Sequence, residues 1–80
     1  MSISGMGGAY ESACQGIKSE VLSWFKANPG KVSEANATNS LMGFCDDNPE
    51  LCKIIMKYEP SAAQAGAAFW SAVNELEENS

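Results

Sequence analysis

Apolar residues recur along this chain with the period of a helix. Tyr10, Cys14, Ile17, Val21 and Trp24 follow one another at steps of four, three, four and three, which lines them along one helical stripe widened by Ala13 and Phe25. The stripe predicts a first helix over about 9–27. Asn28-Pro29-Gly30 should end it, because the residue before proline is pushed out of the α region and glycine permits a reversal. Ser33 reads as the next N-cap with Glu34 in the first turn, and Ala35, Thr38, Met42 and Cys45, flanked by Leu41 and Phe44, predict a helix over about 33–45. Asn36 and Asn39 lower its propensity. Asn48-Pro49-Glu50 then has the order of a cap, a first-position proline and a first-turn acid, and Leu51, Ile54, Ile55 and Tyr58 form the inner face of a helix over about 49–58. Ser61 and Gln64 fit a capping box directly after Pro60, with Ala62, Ala65, Phe69, Val73 and Leu76 as the stripe of a last helix over about 61–77.

Four helical segments joined by short connections place consecutive helices side by side, so the expected fold class is all-α: a compact four-helix antiparallel bundle forming a single helical domain over 9–80. Three glycines between Ser2 and Gly8 predict a flexible Gly-rich N-terminal arm over 1–8. The small residues from Ala62 to Ala68 should let the last helix approach a neighbour closely, with Gly66 the expected contact point; the alternative is that the alanines serve helix propensity alone.

Size and charge narrow the function. A chain of 80 residues makes one small domain, burying roughly 60% of the surface its unfolded form exposes. Ten acidic residues face five lysines, with no Arg and no His, for a net charge of -5. That balance argues against direct nucleic-acid binding, which draws its affinity from neutralising phosphates. Without His the chain lacks the commonest general base and metal ligand, so a non-enzymatic role is expected. Gly5-x-Gly7-Gly8 has Tyr10 where a phosphate-binding glycine belongs and no Lys-Ser/Thr pair after it. Asp46-x-Asn48-x-Glu50 copies the start of a calcium loop but has Leu51 and Lys57 where the turn glycine and bidentate glutamate belong. No cofactor and no metal are expected. The longest apolar runs, Ile54 to Met56 and Ala67 to Trp70, are far shorter than a membrane span, and the start carries no secretory pattern, so a cytoplasmic chain is expected.

The cysteines leave two readings open. On one continuous helix Cys45 and Cys52 would stand about 10 Å apart, too far for a disulfide. A turn at Asn48-Pro49 could bring them together. Either all three thiols are reduced, or Cys45 and Cys52 are bridged and the chain works in an oxidising compartment such as the periplasm.

The adjacent aromatics are the most useful lead to a partner. Trp24 stands beside Phe25, and Trp70 beside Phe69, so one ring of each pair must turn away from its stripe. Those rings either close the edge of the core or anchor a partner. Trp70 is the leading anchor candidate, with Trp24 second, and Glu75, Glu77, Glu78, Asp46 and Asp47 as the carboxylates that would steer a basic surface toward them. The expected function is that of a small acidic protein-binding module, an inhibitor or antagonist of a larger protein in the manner of a phage-encoded or immunity-type protein. The alternatives are a self-assembling helical protein, and a periplasmic immunity protein with a Cys45–Cys52 disulfide.

The stretch from Trp24 to Leu41 faintly echoes that from Ile55 to Ala72, both reading helix, Lys, proline turn, helix. The first stretch also resembles the helix–proline–helix ending, closed by Phe-Cys, of the Tai-type immunity proteins, small helical disulfide-containing inhibitors of secreted amidases. The likeness covers about a quarter of the chain, uses generic residues and lacks that family's signal peptide and remaining cysteines. What it implies is a small helical inhibitor, and no membership.

Overall fold

The computed structural model describes residues 4–79, with side chains from Ser12 onward. These residues form five helices and no strand: α1 (Ser4–Ala27), α2 (Lys31–Thr38), α3 (Leu41–Asp47), α4 (Pro49–Met56) and α5 (Ala62–Glu78). The chain is all-α, as the apolar periodicity requires. It differs from the four expected helices in one break and several boundaries. α1 already includes Ser4–Gly8, most of the expected arm, and residues 1–3 of that arm lie outside the described residues. Extending a helix that already exists fixes one residue per hydrogen bond gained, so the glycines are carried along by the long helix that follows.

The segment expected as one helix over 33–45 is two. Asn39 adopts a left-handed conformation (φ 54°, ψ 32°), which Asn tolerates better than most side chains, and its N–H closes α2 on the Ala35 carbonyl at 3.0 Å. Thr38 Oγ1 donates to the Glu34 carbonyl, and Ser40 caps α3 by accepting from the Gly43 N–H at 3.2 Å. α2 also begins earlier than expected, at Lys31, because Lys31 N–H bonds the Asn28 carbonyl; Gly30 occupies the N-cap and Ser33 lies inside the helix. Gly30 keeps a right-handed backbone (φ -69°), so the reversal after α1 uses no left-handed glycine. Asn28 Nδ2 instead ties the end of α1 by donating to the Trp24 carbonyl at 2.8 Å.

Asn48 joins α3 to α4 without capping α4 through its side chain. It is buried, and its Nδ2 donates backward to the Phe44 carbonyl at 3.0 Å, leaving α4 to open on Pro49, which has no N–H to satisfy. α5 begins at the expected box: Ser61 Oγ accepts from the Gln64 N–H while Gln64 Oε1 accepts from the Ser61 N–H. Before it, Glu59 takes a left-handed backbone (φ 50°) that turns the chain into Pro60.

α1 packs along α5 and beside α4, while α3 bridges α2 and α4. Ile17, Val21 and Phe25 of α1 meet Phe44, Leu51, Ile55, Phe69 and Val73 in one core. The rings of Phe25, Phe44 and Phe69 form a closed triangle with centroids 5.7–6.0 Å apart. Small residues let α5 lie close to the core, with Ala65, Ala68 and Ala72 buried. The tightly packed glycine is not the expected one: a Cβ at Gly66 would meet nothing within 4 Å, whereas one at Gly16 would stand 2.6 Å from Tyr58 Cε2. Tyr58 lies over Gly16 and donates its hydroxyl to Glu20, whose other oxygen pairs with Lys57 Nζ at 2.9 Å. This cluster and the Lys18–Glu75 pair (2.9 Å) tie α4 and α5 to α1 across the surface. Among the described residues no helix is long and apolar enough to cross a membrane.

Candidate functional site

The residues singled out from sequence fall at separate places. Phe25 and Phe69 take the core positions, and their tryptophan neighbours sit half-buried at its margin. Trp24 packs edge-on against Phe25 and Phe44, with centroids 5.2 and 6.0 Å away. Trp70 packs edge-on against Phe69 at 4.8 Å and borders an open hollow on the α1–α5 seam. Glu75 and Glu78 line that hollow with it, but so does Lys18, which holds Glu75 in an ion pair. Glu77 turns to the other side, accepting from Asn36 Nδ2 at 2.5 Å. Asp46 and Asp47 stand at the end of α3, exposed.

A different surface combines exposure with apolar character. The break at Asn39-Ser40 restarts the helix so that Phe44 points into the core and Met42 points out, 81% exposed. Met56, at the end of α4, is 55% exposed. Both border a groove of about 440 Å³ between α3, α4 and the first turns of α5. Leu41 and Ile55 line its sides, and Ala62, Ala65 and Gly66 form the α5 wall. A second hollow of about 400 Å³ continues past it toward Pro49 and Lys53, the two sharing Cys45, Asp46, Cys52 and Met56. Pattern reading misses this groove because it places Met42 on the inner stripe of a single helix. The usable signal is the Asn39-Ser40 pair, a left-handed stop followed by an N-cap, which shifts the register.

The groove's electrostatics come from its α3–α4 corner. Asp46 forms part of the wall, Asp47 and Glu50 are exposed beside it, and among the described residues no lysine forms an ion pair with any of the three. Lys53 borders the second hollow.

Cys45 and Cys52 are both free thiols, and both line each of the two hollows. Burial pushes the Cys45 thiol up to about 12, reinforced by Cys52 and the Asp46 carboxylate. A thiol held protonated in this way is a weak nucleophile at neutral pH. Cys14 is the third free thiol, half-buried on α1. Among the described residues no group of three His, Cys, Asp or Glu side chains is placed to hold a metal ion. What the groove offers is an apolar trough with flexible thioether rims and an acidic corner.

No protein-family profile, curated protein or solved structure matches this chain.

Proposed function

We propose that this chain is a non-catalytic protein-binding module that acts as an inhibitor or antagonist of a larger protein, and that the groove between α3, α4 and α5 is where it docks. The observation that carries the reading is the pair of exposed methionines, Met42 and Met56, bordering one apolar trough in a domain whose phenylalanines are all buried. An apolar patch of this kind on a small protein marks an interaction site. Methionine suits such a rim because its unbranched, polarisable side chain adapts to the surface it meets. In this reading α2 and α3 are one arm bent at Asn39, the whole is a four-arm antiparallel bundle, and the chain works in the cytoplasm. Trp70, with Glu75 and Glu78, is a secondary contact.

The test is positional photo-crosslinking in the cells that make the protein, with a photoreactive residue placed singly at Met42, Met56 or the exposed Ala63. The same partner crosslinked from 42 and 56 and not from 63 supports the reading; crosslinking that is equal at all three positions, or concentrated at 63, overturns it. Cys45 and Cys52 lining the same two hollows favour one second reading, an immunity-type protein of an oxidising compartment with that pair bridged. Intact mass under non-reducing conditions decides it, since a bridge removes about two mass units and leaves one alkylatable thiol. A self-assembling protein would sediment as an oligomer at micromolar concentration.

A further inference from the structure

We propose that the groove's occupant is a cationic amphipathic helix of the partner protein, laid with its apolar face in the trough and its basic flank against Asp46, Asp47 and Glu50. The inference rests on the groove being the docking surface and adds the chemistry of what docks. Shape is the first argument. The two hollows lie side by side and share Cys45, Asp46, Cys52 and Met56, so the concave surface extends beyond a single cup. An extended apolar trough takes a row of side chains spaced three and four residues apart on one helix face. A Cβ at Gly66 would meet nothing within 4 Å, so the α5 wall leaves room there for an incoming side chain.

Charge is the second argument, and it chooses between occupants. Lys18, Lys31 and Lys57 are engaged by Glu75, Glu34 and Glu20. Lys53 is the one lysine bordering either hollow, against Asp46 in the wall of both, while Asp47 and Glu50 line neither hollow but stand exposed next to Asp46 and Pro49 in the chain. The corner therefore carries a surplus of negative charge without an ion-pair partner among the described residues. A second copy of this chain would bring a net charge of -5 to that corner, and an acidic helix would meet the same repulsion. A helix with Lys or Arg beside its apolar stripe meets apolar surface with apolar surface and carboxylate with cation.

The experiment uses the full chain with its methionine methyl groups labelled by carbon-13, the signals of Met42 and Met56 assigned by replacing each with leucine. It is titrated with three synthetic helical peptides of one apolar pattern, whose polar face is lysine, serine or glutamate. The lysine peptide should shift both methyl signals. Gly66→Leu, which fills the trough from an open position, should abolish that shift. Asp46→Lys combined with Asp47→Lys should weaken binding roughly tenfold, as should raising the salt, while circular dichroism stays unchanged. Equal binding of the glutamate or serine peptide would overturn the cationic assignment and leave the groove as a docking surface. If none of the three moves the Met42 and Met56 methyls, the docking surface itself is overturned. Methyl signals that broaden with protein concentration alone would assign the trough to a second copy.

Discussion

Two alanine substitutions for glycine, chemically identical and both inside helices, should differ in their effect on stability, only one of them being stabilising. At Gly66 in α5 an added Cβ meets nothing within 4 Å. Gly66→Ala therefore collects the helix-propensity difference alone, about 0.5–1 kcal/mol of stabilisation. At Gly16 in α1 the same methyl group would stand 2.6 Å from Tyr58 Cε2 and 3.0 Å from Cζ and Oη, about 0.8 Å inside the 3.4 Å at which ordinary contact begins. The ring must swing away and give up its hydrogen bond to Glu20. Overpacking of this kind costs about 1–3 kcal/mol, so after the same propensity gain Gly16→Ala should range from neutral to about 2 kcal/mol destabilising. For a domain of this size each kcal/mol moves Tm by about 4–8 °C, which thermal denaturation followed by circular dichroism resolves easily. In a Tyr58→Ala background the penalty at Gly16 should vanish, and Gly16→Ala should stabilise about as much as Gly66→Ala. Equal stabilisation by the two substitutions in the parent chain would refute the packing of Tyr58 on α1. Destabilisation by Gly66→Ala would refute the open wall of the groove.

Three further outcomes follow from the packing and the titratable groups. Phe44→Ala removes one vertex of the buried phenylalanine triangle and should cost about 3–5 kcal/mol in urea denaturation, a large part of the roughly 4–12 kcal/mol available to 80 residues. The hydrogen bond from Tyr58, then that from Lys57, holds the Glu20 carboxyl below its ordinary 4.5, so this contribution to stability is present above 4.5 and lost as pH falls through the lowered value; Tyr58→Phe should raise the Glu20 titration midpoint seen by NMR. Burial, then Cys52, raises Cys45, so this thiol contributes stability that is full below its ordinary 9.0 and lost as pH rises from 9.0 through about 12; at neutral pH Cys45 should alkylate far more slowly in the folded chain than in denaturant, followed by mass mapping.

Local signals in this sequence translate directly where the deciding interactions are local. The Ser61–Gln64 box lies within one turn and sets the start of α5 as written. The adjacent Trp-Phe and Phe-Trp pairs required one ring of each to leave the stripe, and in both it is the tryptophan that moves to the core margin. Where a decision depends on a residue far along the chain, pattern reading fails. Gly66 stood out among alanines, yet the close approach is at Gly16, made so by Tyr58 from the turn after α4. Asn48 looked like the cap of α4, but its amide serves the Phe44 carbonyl behind it. The groove was illegible for a related reason: a two-residue interruption at Asn39-Ser40 turns Met42 out and Phe44 in, and apolar spacing alone cannot tell a continuous helix from one that stops and restarts.

The partner recovered by crosslinking from position 42 gives the most direct measurement: its affinity for the parent chain and for Gly66→Leu, determined side by side with the melting temperature of each protein. Filling the groove from an open helix position should weaken binding by at least roughly tenfold while leaving Tm unchanged or higher, because leucine improves helix propensity and meets no neighbour at its Cβ. Unchanged affinity in a Gly66→Leu protein that melts as the parent does would contradict the claim that this chain acts through the groove between α3, α4 and α5.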